Sequence, residues 1–328
     1  MNYATGQFAV REVPTPQPGP GEVRVRVRAA GICLSDVHLI DGTIKPLFLQ
    51  GDEATLGHEV AGEVESLGAG VTSTALGARA IVRPGKAVDG RGWTLGVDYD
   101  GGWAQYIVAP ADGLIPIPDS LPFEQAAIIP DAVSTPWGAI ESTAKVRQGE
   151  AVGVWGIGGL GAHGVQLLRF AGAAPIIAVD PVEAARTRAV ELGADVALDP
   201  ADPDFAAKIR TATRGAGLAV AFDFAGASAV RGQALESLSL GGRLVLTGIS
   251  GQAMTVEDDF TFIYLRRQIL GHYGSESRHV VDLIRLIELG RLDFSGSISA
   301  TMPLAEAAQG VERLASKAGN PIRLVLIP

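Results

Sequence analysis

Three short stretches of the chain hold residue types that could do chemistry. Cys33-Leu34-Ser35-Asp36-Val37-His38 places a thiol, a hydroxyl, a carboxylate and an imidazole close together, and Gly57-His58-Glu59 adds a second imidazole and carboxylate. Thiolate sulfur and imidazole nitrogen are favoured ligands of Zn²⁺. On frequency alone, a buried free cysteine and a core histidine are the commoner explanation of Cys33 and His58. A polar run this dense is hard to bury, however, because each group in it would need a hydrogen-bond partner. The third stretch, Gly156-Ile157-Gly158-Gly159-Leu160-Gly161, is a G-x-G-x-x-G.

That glycine motif is weak alone and stronger in context. An apolar strand, AVGVWG, precedes it and a helix follows it. The next strand, PIIAVD, closes on Asp180, and 180 − 156 = 24 residues is near the spacing of about 20 expected of a dinucleotide-binding βαβ unit. Gly156 permits a tight turn, Gly158 lets a pyrophosphate approach the backbone, and Gly161 lets the helix pack on the sheet. The helix N-terminus offers free N–H groups and partial positive charge to the phosphates. Asp180 suits the ribose hydroxyls and would repel a 2′-phosphate. No arginine follows it immediately (Pro181, Val182, Glu183), so NAD is expected over NADP.

These groups need two kinds of scaffold. Val23, Val25 and Val27 alternate with Arg24, Arg26 and Arg28 as in a half-buried strand. Short strands are also expected in HEVAGEVESLG, in ARAIVR and twice between residues 101 and 118, so the first third reads as an antiparallel, barrel-like β unit with few helices. Residues 123–143 read as helical pieces broken at Pro130 and Pro136. From residue 150, apolar strands and helices alternate as far as QILGHYG, which implies a parallel sheet covered on both faces. Two helical patterns and a terminal strand, IRLVLIP, follow and are free to rejoin the first domain. The expected class is α/β, with domains at 1–134 plus 274–328 and at 135–273.

Composition narrows the function. With 27 basic and 36 acidic residues, the net charge of −9 argues against nucleic-acid binding and against a polybasic membrane anchor. No uninterrupted apolar run reaches the roughly 18 residues of a membrane span. The start has neither a basic nor an apolar leader region, and the single cysteine excludes an intrachain disulfide. A cytoplasmic location is expected.

Taken together, the motifs resemble the zinc-dependent alcohol dehydrogenases of the medium-chain dehydrogenase/reductase superfamily. The signature G-H-E-x2-G-x5-G-x2-V stands as Gly57, His58, Glu59, Gly62, Gly68 and Val71. G-I-C-x-S-D-x-H stands at Gly31 to His38, and the coenzyme motif at 156–161. The resemblance implies a GroES-like β-barrel catalytic domain beside a Rossmann doubly wound coenzyme domain. It implies Cys33, His58 and Asp131 as ligands of one catalytic zinc, Glu59 behind the metal and Asp36 orienting His58. Ser35 and His38 would relay the alcohol proton. Thr135, Thr247 and Ile249 would lie near the nicotinamide, Gly156, Gly158, Gly159, Leu160, Gly161 and Asp180 would hold the rest of NAD, and Arg323 would contact its pyrophosphate.

The chain departs from the family in places. Many members carry a four-cysteine structural zinc lobe; a chain with one cysteine has no such site, so one zinc per chain is expected, and residues 84–100 are short and polar there. FDFAGA (222–227) and GRLDF (290–294) resemble bacterial secondary-alcohol dehydrogenases, so the expected substrate is a secondary or aryl/aliphatic alcohol, or its ketone or aldehyde. Trp93, Trp103 and Trp137 are candidates for an apolar pocket, with the core as the commoner destination. Polyol or amino-alcohol oxidation, a zinc-free quinone or enone reductase, and a non-catalytic dinucleotide binder are the competing readings. The family forms dimers and tetramers, so a homodimer or homotetramer is expected.

Overall fold

The valine–arginine alternation of strand β1 (Glu22–Ile32) sorts its two faces: Val23, Val25 and Val27 are buried, while Arg24 and Arg26 lie over the Tyr106 ring. Burying such side chains contributes roughly 1.5–3 kcal/mol each. A short helix, α1 (Leu34–Ile40), follows. Next come β2 (Val60–Leu67), β3 (Arg79–Val82), the hairpin β4 (Gly85–Val88) and β5 (Arg91–Thr94), then β6 (Tyr106–Pro110) and β7 (Leu114–Pro116). A computed structural model describes all 328 residues and divides them into two units, Met1–Ser134 with Ser275–Pro328, and Thr135–Gly274.

From α2 (Phe123–Ile128) the chain stays helical to residue 144. It passes through a wide-turned stretch at Ile129–Val133, through α3 (Ser134–Gly138) and through a second wide stretch at Ala139–Ala144. The expected breaks at Pro130 and Pro136 do not occur. The wider i→i+5 turns absorb the missing proline N–H instead of ending the helix, a distortion often found at functional sites.

The second unit alternates β8 (Val152–Trp155), α4 (Gly159–Ala171), β9 (Ile176–Val179), α5 (Glu183–Glu191), β10 (Val196–Leu198), α6 (Phe205–Ala212), β11 (Leu218–Asp223), α7 (Ser228–Glu236), β12 (Leu238–Leu246), α8 (Asp259–Tyr264) and β13 (Gln268–Gly271). The strands form one parallel six-stranded sheet ordered β10-β9-β8-β11-β12-β13. Every residue of β8 and β9 is buried, as expected of strands covered on both faces. One covering layer packs Trp155, Phe205, Leu218, Leu235 and Leu244 together. The strand order reverses beside β8, so the loops after β8 and β11 diverge there and leave a crevice at the strands' carboxyl ends.

The tail returns to the first unit as α9 (Ser277–Glu288), β14 (Ile298–Pro303), α10 (Ala307–Ala315) and β15 (Arg323–Ile327). β15 pairs antiparallel with β1, Gly31 opposite Val325, inside a seven-stranded sheet ordered β14-β15-β1-β2-β3-β7, with β6 also on β1. The stretch 84–100 is closed by a carboxylate: buried Asp98 accepts the backbone N–H groups of Leu47, Phe48 and Thr94 at 3.1, 3.0 and 2.9 Å. The three tryptophans each have separate packing. Trp103 donates to the Gly31 carbonyl at 3.0 Å, Trp93 stacks on Phe48, and Trp137 meets Phe170 edge-on. No helix is long and apolar enough to cross a membrane.

Candidate metal centre and coenzyme cradle

Four segments of the first unit converge. Cys33 follows β1 with an extended backbone and precedes α1; the Asp36 carboxylate accepts its N–H at 2.8 Å and so fixes the turn. His58 and Glu59 lead into β2. Gly31 makes room for Glu59: a Cβ there would lie 1.8 Å from Glu59 Oε2. The wide helical stretch brings in Asp131, and the first residue of β15 brings in Arg323.

One ligand atom from each of Cys33, His58, Glu59 and Asp131 lies within 4.8 Å of all the others. Cys33 Sγ is 3.5 Å from Asp131 Oδ2, and His58 Nε2 is 3.4 Å from the same oxygen. Tetrahedral zinc with bonds of about 2.0–2.3 Å separates its ligands by about 3.3–3.8 Å, so both spacings fit. His58 turns its other nitrogen, Nδ1, toward Asp36 Oδ1 at 3.6 Å, the arrangement in which a carboxylate orients a ligating imidazole.

Charge in this pocket is unbalanced. Burial pushes the Glu59 carboxyl up to about 8; the Arg323 guanidinium opposes the shift, and Asp131 and Asp36 add to it. For His58, burial favours the neutral ring, but Asp36, Asp131 and Cys33 outweigh it and raise its pKa well above the usual value. Glu59 Oε2 is buried without a hydrogen-bond partner. Acid groups that hold extra protons around an orphaned carboxylate oxygen are short of positive charge, and a divalent cation supplies that charge. The donor set therefore fits zinc.

Arg323, which the resemblance sets at a pyrophosphate, lies against the cluster. It is 2 % exposed, and its Nη2 donates to Glu59 Oε1 and lies 3.5 Å from Asp131 Oδ2 and 3.7 Å from Cys33 Sγ. Burial opposes the charge on the guanidinium, but Glu59, Cys33 and Asp131 outweigh it and raise the pKa further. Glu59 Oε1 also accepts the Ala132 N–H at 3.1 Å, tying the segment that carries Asp131 to β2. Only the lone cation opening the apolar run IRLVLIP hinted at this partner for Glu59. Ser35 Oγ lies 3.5 Å from His58 Nε2, beside the cluster. His38 sits one turn further along α1, with Nδ1 3.6 Å from Asp41 Oδ2.

In the second unit the cradle is mostly backbone. Gly156 has φ +86°, and α4 begins at Gly159. A Cβ on Gly161 would lie 1.8 Å from the Gly156 carbonyl oxygen, so any other residue would push the helix off the turn. Asp180 follows β9 as expected, but both its oxygens are already engaged: Oδ2 accepts from Ile157 N–H at 2.8 Å and Oδ1 from Val182 N–H at 2.9 Å. Each oxygen keeps a lone pair for a ribose hydroxyl, so the residue shapes the turn as well. Thr247 follows β12 with its hydroxyl buried and unpartnered, Ile249 is 41 % exposed, and Thr135 is buried, its carbonyl 2.9 Å from His272 Nε2.

Known proteins carry the same two parts. Residues 19–119 match the alcohol dehydrogenase GroES-like domain and residues 159–288 the zinc-binding dehydrogenase domain. The chain therefore belongs to the zinc-containing alcohol dehydrogenases, within the medium-chain dehydrogenases/reductases, and is an NAD(P)-dependent enzyme of that family. It is similar to the L-threonine 3-dehydrogenase of Pyrococcus horikoshii, at 31 % identity over 88 % of this chain and 86 % of that one. The NDMA-dependent alcohol dehydrogenase of Amycolatopsis methanolica is 30 % identical over 91 % of this chain and 90 % of its own. The crystal structure of 2R,3R-butanediol dehydrogenase from Bacillus subtilis superposes with a TM-score of 0.89 at 26 % identity, covering 98 % of this chain and 97 % of that one.

Proposed function

We propose that this protein reversibly oxidises a secondary, or aryl or aliphatic, alcohol to the ketone or aldehyde with NAD, using one zinc per chain held by Cys33, His58 and Asp131. The observation that carries the reading is the convergence of those three ligands within 4.8 Å. Zinc bound there supplies Lewis acidity that eases deprotonation of an alcohol, and the nicotinamide supplies the hydride acceptor.

The chain's own groups do the rest. Asp36 holds the His58 ring through Nδ1, and Arg323 neutralises Glu59 from behind. Ser35 takes the alcohol proton and His38 passes it outward. Gly156 to Gly161 bind the pyrophosphate, Asp180 the adenosine ribose, and Thr135, Thr247 and Ile249 flank the nicotinamide. A secondary carbinol is supported by relatives named for threonine C3 and for butanediol; the same names support a polyol or amino alcohol as the second reading. The family's habit supports a homodimer or homotetramer.

The deciding experiment pairs metal analysis with a screen of primary, secondary, aryl and polyol substrates against NAD and NADP. The expected outcome is about one zinc per chain and NAD-linked turnover of secondary alcohols. A metal-free chain that reduces quinones or enones would overturn the reading.

A further inference from the structure

We propose that the buried Asp223–Arg231 pair is a positioning device for the nicotinamide half of the coenzyme. Asp223 is the last residue of β11, at the point where the strand order reverses, and it is fully buried. Its Oδ1 accepts from Ala225 N–H at 2.9 Å and Gly226 N–H at 2.7 Å, and its Oδ2 accepts from Arg231 Nε at 2.9 Å. The guanidinium then reaches the neighbouring loop: Nη2 donates to the Gly248 carbonyl at 2.9 Å and Nη1 to that of Gln252 at 3.2 Å. The Asp223 carbonyl closes the circuit by accepting from Thr247 and Gly248 N–H at 3.0 and 2.8 Å.

One ion pair thus fuses the loops after β11 and β12 into a single shelf. Apolar packing could hold these elements about as well, since a buried ion pair is a poor stabiliser; what the guanidinium adds is direction, with donors fixed in one plane. The shelf abuts the glycine turn: a Cβ on Gly156 would lie 3.0 Å from Ala225. A dinucleotide whose pyrophosphate sits on the turn after β8, with its adenosine toward Asp180 after β9, has its nicotinamide half on the remaining side of the crevice, over β11 and β12. The inference rests on that placement of the coenzyme.

The test compares NAD⁺ with ADP-ribose, which lacks the nicotinamide, by calorimetric titration of the wild type and of Arg231→Lys and Arg231→Gln. The 2′-phosphorylated pair is run in parallel. Lysine keeps the charge beside Asp223 but cannot reach both carbonyls, which guards against simple misfolding. The expected result is NAD⁺ binding weakened by about tenfold, the scale of a lost charged hydrogen bond, with ADP-ribose unchanged. Equal weakening of both ligands, or of neither, overturns the proposal. If the wild type binds neither ligand pair, the coenzyme placement itself fails and the proposal with it.

Discussion

The metal cluster and the coenzyme cradle solve opposite problems by opposite means. The cluster is built from side chains far apart in sequence, with Arg323 and Glu59 separated by 264 residues, and it gathers charge in a buried place. The cradle is built from the backbone of one contiguous turn, and its essential side chains are the missing ones. A site of the first kind depends on charge balance among distant partners, so losing one partner leaves another stranded. A site of the second kind depends on close approach, and adding an atom destroys it.

That contrast can be broken, most severely at the metal. Cys33→Ala should take bound zinc from about one per chain to near zero and lower alcohol oxidation by roughly a thousandfold or more, with NAD⁺ affinity within about twofold. A variant that kept its zinc by elemental analysis would show that the thiolate is not a ligand.

Gly161→Val is the mirror image. Its side chain would collide with the Gly156 carbonyl oxygen, so NAD⁺ binding should disappear while metal content stays near one per chain. Retained coenzyme binding in titration would mean that the helix can move away, and the close-approach argument would fail.

Arg323→Met probes how far the cluster depends on balance. Two carboxylates and a thiol lose their buried cation, and chemical denaturation should register a loss of about 3–5 kcal/mol. NAD⁺ affinity should hardly change, because Arg323 faces the cluster; a large loss of affinity with normal stability would restore it to the pyrophosphate.

The smallest effect is expected at Asp180→Ala. Losing the ribose contact should weaken NAD⁺ by about tenfold. NADP⁺ should gain little, because removing the carboxylate also frees the N–H groups of Ile157 and Val182 that order the turn. Steady-state kinetics with both coenzymes would show it, and a clean switch to NADP⁺ would mean that the turn does not need Asp180.

The same contrast explains what could be read in advance. The glycine turn was legible because all its determinants lie within a few residues and a strand–turn–helix surrounds them. Cys33 and His58 were legible as chemistry, whereas Asp131 emerged only through family resemblance, since no local pattern marks a carboxylate inside a wide helical stretch. The helix across Pro130 and Pro136 ran against proline's local preference because π-type turns can carry it. The contact of Arg323 with Glu59 has no local signal: nothing near it in sequence says that Glu59 will lie beside β15. The pairing of Asp223 with Arg231 is not legible in the sequence, because a carboxylate and a guanidinium eight residues apart look like any solvated charges until burial reveals them.

Because β15 lies between β14 and β1 and carries Arg323, metal capture has a consequence for biosynthesis. Every residue of the nucleotide-binding unit leaves the ribosome before the cation that balances Glu59 has been translated. Until then the nascent thiol and carboxylates lack their guanidinium, which leaves their neighbourhood more negative and more attractive to a divalent cation, so zinc loading should precede the arrival of β15 rather than await it.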